Sequence, residues 1–367
     1  MLRATFAVAL LTLALPTIDA AVRVADEPEP TVRGKKAPEW LEMLQKDSNV
    51  DRRRAAVIAL GILGPKVPGV VLGLSDALKD SDAVVRRAAA QTLGQMGSAG
   101  RKAVEPLAET LKNDKADVVR QAAAMALGRL VPAAKAAVPE LIAALQDPHA
   151  GTRAAAAEAL GRIGPDAAAA SPHLVRLLKD SDQRARGQAA FALGRLGSEA
   201  LSAVPSLAEA VLRDPQVDVR RFAAEALGQI GPQAQAAVAS LAGGLKDKQV
   251  EVRRAALLAL SKIGDEAKTA LPSLLEALKD GDKSVRSLAI HTVGPFAQEA
   301  PPVLPALIGC LADEVVDVRL AAVEELGRLG QVAKAALPAL RDLQKSDSRS
   351  IVRESASDAV RRIQPPS

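Results

Sequence analysis

Between residues 83 and 97 apolar side chains stand at Val85, Ala89, Leu93 and Met96, and spacings of four, four and three put them on one face of a helix. The same spacing returns at Val252, Ala256, Leu260 and Ile263, and with few exceptions it recurs along the chain. A glycine closes most of these segments. Gly97, Gly164, Gly197, Gly231, Gly264 and Gly330 stand where a left-handed residue ends a helix, and proline follows two of them. A shorter apolar run precedes each long one, as in VPELIAAL, with Pro139 at what reads as a first helical position. Pro106, Pro172, Pro205, Pro272, Pro305 and Pro338 are its equivalents. The pattern predicts helix pairs: a first helix of about nine residues, a short turn, and a longer second helix.

One arginine near the start of each second helix sets the count: Arg53, Arg86, Arg120, Arg153, Arg186, Arg220, Arg253, Arg286, Arg319 and Arg353. Successive spacings are 33 or 34 residues, so the chain is a tandem array of ten units. Six residues before each arginine is an aspartate: Asp47, Asp80, Asp114, Asp147, Asp180, Asp214, Asp247, Asp280, Asp313 and Asp347. Three residues after it there is always an alanine, from Ala56 to Ala356. Helices this short are marginal alone, so the units must fold by stacking.

Composition narrows the interior and the compartment. With 49% hydrophobic and 1% aromatic residues in 367, the core is Ala, Leu, Val and Ile, which suits closely packed helices. Residues 1–20 differ: Arg3 is followed by the apolar run ATFAVALLTLAL and a small-residue end at Ala20, the pattern of a secretory signal cut after Ala20. Export to a periplasm or to the outside is therefore expected, with no membrane span left after cleavage. Residues 21–36 read as a disordered linker, 37–364 as the array, and 365–367 as a tail. Cys310 has no second cysteine to pair with, and the net charge of +5 is a weak pointer to an anionic partner.

Paired short helices, a proline in the first, and an Asp and an Arg six residues apart at the turn resemble HEAT repeats, in particular the shorter HEAT-like type of phycobilin lyases. The resemblance spans residues 37–364. It implies an all-α fold, an α-solenoid wound as a right-handed superhelix of about ten helical hairpins. At usual helix packing distances such an array is about 80 to 100 Å long. It also implies a ladder in which Asp80, for example, accepts from local N–H groups and from an arginine one repeat away, giving all twenty Asp and Arg residues a structural role. The ends depart from the frame: Trp40 replaces a small aliphatic residue, and Glu354, Ser355, Ser357 and Asp358 make the last unit polar, as terminal caps require.

Function is expected where units differ. Positions one, five and nine after each arginine vary and form one stripe on the second helices, which in such arrays line the concave face. From it come the candidate partner-binding residues Arg87, Met125, Arg129, Glu158, Arg162, Phe191, Arg195, Arg221, Arg254, Leu258 and Arg328. Arginines around Met125, Phe191 and Leu258 suit a protein or peptide partner, an acidic one in particular. No catalytic or metal site is expected, nor a cofactor: His149, His173 and His291 fall in different units, and HExxH, GxSxG and phosphate-loop motifs are missing. Cys310 sits in an apolar run and reads as core. The alternatives are a lyase or chaperone-like accessory subunit of an enzyme complex, which the resemblance raises, and a binder of polyanions or nucleic acid. Against the last, glutamates interrupt the stripe and the chain has no Tyr for base stacking.

Overall fold

The computed structural model describes residues 29–364, in which twenty α-helices alternate as first and second members of ten pairs. The first helices are α1 Ala37–Lys46, α3 Val70–Asp76, α5 Val104–Asn113, α7 Val138–Ala144, α9 Ser171–Leu177, α11 Val204–Arg213, α13 Val238–Gly244, α15 Leu271–Ala277, α17 Val303–Gly309 and α19 Leu337–Ser346. The second helices are α2 Val50–Leu63, α4 Ala83–Gln95, α6 Asp117–Arg129, α8 Ala150–Ile163, α10 Gln183–Leu196, α12 Val217–Ile230, α14 Val250–Ile263, α16 Lys283–Val293, α18 Val316–Leu329 and α20 Ser350–Ile363. The fold is an α-solenoid. The expected signal at residues 1–20, the linker up to residue 28 and the tail at 365–367 lie outside the described residues.

Its core is continuous. The alanine three residues after each arginine is fully buried in every unit, and so are Leu93, Leu127, Leu160, Leu193, Leu227 and Leu260 four residues further on. Facing them from the first helices, Leu74, Leu107, Leu141, Leu174, Leu207, Leu241 and Leu274 are equally buried. Between most units the chain runs through a 3₁₀ segment, such as Gly164–Ala170, whose Ala167 and Ala170 are buried under the neighbouring helices. Periodicity of the long helices gave no hint of this third element.

Nine rungs join the ten units. In each, the arginine of one unit donates Nε and Nη2 to both carboxylate oxygens of the next unit's aspartate, as Arg53 does to Asp80 at 2.7 and 2.8 Å and Arg153 to Asp180 at 2.7 Å twice. Its Nη1 donates to the backbone carbonyl of its own unit's aspartate, 2.9 Å for Arg153 to Asp147. The receiving aspartate also accepts a backbone N–H two residues on, Asp182 to Asp180 at 2.8 Å. Every rung is thus a bidentate, charge-assisted pair whose arginine also holds the turn of its own unit. The ends stay open: Arg353 keeps only its bond to the Asp347 carbonyl, and Asp47 has no arginine from an earlier unit.

The alternation of 33 and 34 residues is absorbed at the end of the first helix, in the bond made by the N–H of the rung aspartate. Where the step is 34, the first helix has ten residues and closes with an α-type bond, Asp114 N–H to Thr110, Asp214 to Ala210 and Asp347 to Leu343. In 33-residue units it closes one residue earlier with a 3₁₀ bond, as Asp147 N–H to Ala144 and Asp180 to Leu177. The prolines lie second or third in the first helix rather than first, still within the turn whose N–H groups have no helical partner.

Two kinds of glycine are required. Gly164, Gly197, Gly231, Gly264 and Gly330 end their helices at φ between 56° and 78°, as expected, but their ψ of −142° to −130° is not that of a left-handed helical residue. This is a part of the map essentially closed to side chains. Eight residues after the arginine a second glycine meets an alanine of the next unit: a Cβ on Gly94, Gly161, Gly194 or Gly228 would lie 2.7–2.9 Å from the Cα of Ala126, Ala192, Ala226 or Ala259. The second helices therefore pack closer along the array than the first helices do. In the last unit this place belongs to Arg361.

At the other end, within the stretch read as a linker, residues 29–36 are described and carry a turn. Val32 and Lys35 exchange backbone hydrogen bonds of 3.0 and 3.1 Å around a turn at Arg33 and Gly34. Trp40 is the reason: it is buried, its Nε1 donates to the Val32 carbonyl at 3.2 Å, and the Lys35 ammonium lies 5.6 Å from its ring centre.

Burial, the largest influence on the carboxyls of Asp80, Asp114, Asp147 and Asp180, pushes their pKa up, yet the arginine and backbone hydrogen bonds outweigh it and the net shift is downward. Groups so lowered bind protons more readily when unfolded, so their stabilisation is complete above the unfolded value of about 3.9 and fades as pH falls through the folded values. Melting followed by circular dichroism should therefore be flat from neutral pH down to about 5 and fall steeply below about 4. Asp180→Ala should lower stability by roughly 1 to 3 kcal/mol at neutral pH, through donors left unmet on Arg153 and Asp182; a neutral substitution would show that the rungs do not hold the stack.

Candidate functional site

The variable stripe is a surface. Nine residues after the arginine, Arg129, Arg162, Arg195, Gln229, Lys262, Arg328 and Arg362 are all exposed; Met125 and Leu258, from the row four residues earlier, are 40% and 44% exposed. Arg87 and Arg254 are exposed as well, whereas Glu158, Phe191 and Arg221 are half-buried. Most of these side chains do not converge. Arg87, Arg254, Leu258 and Arg328 each stand over their own units.

Units three to six are different. Arg129, Glu158, Arg162, Phe191 and Arg195 line one open groove of about 780 Å³ together with Gln188 and Phe222. Glu158 accepts from Nε and Nη2 of Arg162 at 3.0 and 2.7 Å, an i to i+4 pair on α8. Among the described residues Arg129 and Arg195 form no ion pair. The groove floor is aromatic: the Phe191 and Phe222 rings meet edge to face, centroids 6.4 Å apart. Arg221 lies over the Phe222 ring, 4.1 Å from its centre. It is held there by Glu225 at 2.8 Å and Asp218 at 3.2 Å. Burial, the largest influence on Arg221, lowers its pKa, but the two carboxylates reverse this and the net shift is upward, so its charge is permanent.

Phe222 stands two residues after its arginine, where Ala55, Ala88, Ala122, Ala155, Ala255 and Ala321 stand elsewhere. Beside it is a smaller hollow of about 260 Å³ lined by Gly187, which shares Phe222 and Gln188 with the groove. A Cβ on Gly187 would meet the Phe222 ring at 3.5 Å, an ordinary contact. The sequence stripe left out Phe222 and Gln188 because their position is alanine in most units. That departure from the alanine was the available signal.

A second departure lies between units eight and nine. Six residues after Arg319, where Ala126, Ala159, Ala192, Ala226 and Ala259 form the seam, stands Glu325, only 2% exposed. Its Oε2 accepts from Arg328 at 2.8 Å and lies 2.9 Å from His291 Nδ1. Gly294 makes the room, since a Cβ there would run into the Glu325 carboxylate. Arg328, expected to face a partner, is thus partly committed within its own unit. The other histidines are apart: His149 Nε2 is 3.5 Å from Asp117 and His173 Nδ1 is 3.0 Å from Arg176. Cys310 is buried, its Sγ 3.4 Å from the Ala306 carbonyl, and burial pushes its thiol up to about 11, which keeps it protonated and unreactive at neutral pH. Among the described residues no helix is long and apolar enough to cross a membrane.

A family model described as HEAT repeats matches residues 37–128, 104–194, 138–216, 171–261, 204–290 and 271–361. No curated protein matches the sequence. Among solved structures, an engineered protein superposes with a TM-score of 0.63 at 23% identity over 91% of this chain and 100% of its own. Importin beta does so with 0.59 at 15% identity, over 89% of this chain and 51% of its own. Kap95p, seen binding RanGDP, does so with 0.57 at 16%, over 89% and 50%. The chain thus spans about half the length of these last two solenoids, and at such identities the likeness is one of fold.

Gly294 and Glu325 should behave as a coupled pair. Gly294→Ala alone is expected to lower stability by roughly 1 to 3 kcal/mol through overpacking. Glu325→Ala restores the seam residue of other units and should be neutral or stabilising, because it removes a buried carboxylate whose partners reach water. Combined with Gly294→Ala it should remove the loss, and additive effects in a denaturant-unfolding cycle would show that the two do not meet.

Proposed function

The chain belongs to the HEAT-repeat family, and from that footing we propose that it is an exported, non-enzymatic scaffold that binds a protein or peptide partner through the stripe on its second helices. One observation carries the reading. In an array whose core, rungs and caps recur in nearly every unit, the groove over units three to six collects what does not recur: Phe191, Phe222, Gln188 and an exposed row of arginines. Aromatic and arginine side chains in a concavity are the composition of protein-binding hot spots. A shared fold does not carry function across, but Kap95p binding RanGDP illustrates that a solenoid of this kind can hold another protein with surface rather than catalysis. The arginines favour an acidic partner. Among the described residues no cluster of His, Cys, Asp and Glu has the arrangement of a metal site.

Reversing the charge of Arg129, Arg162 and Arg195 together, each to Glu, should abolish capture of a crosslinked partner from the exported fraction while helicity and melting stay as they are. Capture that survives the triple change would place binding elsewhere. For the export part of the proposal, N-terminal sequencing of the protein outside the cytoplasm should begin at Ala21, and a start at Met1 would argue for a retained anchor.

A further inference from the structure

Resting on the reading of this face as a binding surface, the geometry points to a specific occupant: we propose that the groove takes an acidic polypeptide segment in the polyproline II conformation. Its carboxylates recur on every third residue along Arg129, Arg162 and Arg195, and an apolar side chain enters the hollow beside Phe222.

The argument is one of spacing. Arg129, Arg162 and Arg195 hold the same place in units three, four and five. Neighbouring helices in contact lie about 8 to 10 Å apart. The seams of these units are close: a Cβ on Gly128 would lie 3.0 Å from Ala159 Cα, and one on Gly161 2.9 Å from Ala192 Cα. A polyproline II chain has three residues per turn and a rise of about 3.1 Å, so one of its faces repeats every ~9 Å. A β-strand repeats a face every ~6.7 Å and an α-helix turns every ~5.4 Å, and both fall out of step with the arginines within one unit.

Charge and shape agree with this occupant. The row offers three cations against one carboxylate, Glu158, which engages Arg162 and leaves the outer two arginines unpaired among the described residues. The strongest carboxylate positions are therefore the outer pair, six residues apart in the bound segment. Groove and hollow share Phe222 and Gln188 in their walls, and the Phe222 ring, Val219 and the bare backbone of Gly187 form the apolar part of a hollow otherwise lined by polar side chains, Asp218 among them. The fixed cation of Arg221 lies 4.1 Å from the centre of that ring.

The test uses the mature full chain and two fluorescein-labelled peptides of equal composition, the periodic (Glu-Pro-Leu)₄ and the permuted Glu-Glu-(Leu-Pro)₄-Glu-Glu, in which no two glutamates stand three or six residues apart, with fluorescence anisotropy at low ionic strength. The periodic peptide is expected to bind about tenfold more tightly than the permuted one, and Phe222→Ala, which installs the residue of most other units, to weaken it by about tenfold. Arg129→Gln and Arg195→Gln should each weaken it by about threefold, and Glu158→Gln should tighten it, a gain that misfolding cannot produce. Gly187→Leu, which places in unit five the residue found at Leu320 in unit nine, should fill the hollow and reduce binding without loss of helicity. Equal affinity for the two peptides, equal affinity for a thymidine oligonucleotide, or no binding of the periodic peptide would each overturn the proposal. Partner capture by the charge-reversed chain is a separate measurement, so the scaffold reading stands or falls independently of this one.

Discussion

A bidentate contact between an arginine and the next unit's aspartate couples two things that an Ala and Leu interior leaves free. Burial of small aliphatic side chains drives the helices together, but it is non-directional and would tolerate sliding. The rung removes that freedom. One guanidinium grips the turn of its own unit through the Asp147 carbonyl, in the case of Arg153, and reaches Asp180 with its other edge, while Asp180 gathers the N–H that opens the next helix. Turn, helix start and neighbour are fixed by the same five atoms, with four of the five Arg153 N–H groups and both Asp180 oxygens engaged, and such satisfaction lets a half-buried ion pair specify geometry rather than penalise it.

Much of this was legible in the sequence because repetition filters noise. A single Asp six residues before an Arg says nothing, whereas ten copies at fixed spacing identify the turn, the second helix and its buried alanine. The ends of the helices at Gly164 or Gly231 were readable for the same reason, though only the backbone shows that their ψ lies outside the left-handed helical well. The 3₁₀ connections were not visible: their paired alanines, such as Ala167 and Ala170, look like loop residues until burial is known. The turn over Trp40 was hidden behind a composition that elsewhere marks disorder.

The candidate site was only half legible, and the half that was missed is instructive. Reading variation along one stripe located Arg129, Arg162, Phe191 and Arg195. It left Phe222 aside because a stripe is a property of one helix, while a groove is a property of two, and side chains from an adjacent row reach into it across the interhelical gap. Glu325 escaped for a related reason: a charged residue inside a seam of alanines has meaning only beside the glycine that yields to it.

Glu325 also distinguishes two sorts of junction in the array. Interior units share one connector chemistry, so a chain that lost unit five whole would bring Arg153 to Asp214 and Gly161 to Ala226, both contacts of kinds it already uses. Such an array can lengthen or shorten by recombination without inventing an interface. Units eight and nine are keyed to each other by the contact of His291 with Glu325, a pairing across the seam that the alanines of the sibling units do not make. That one joint gives an otherwise interchangeable series of modules an internal landmark, a fixed position from which the order of the others is set.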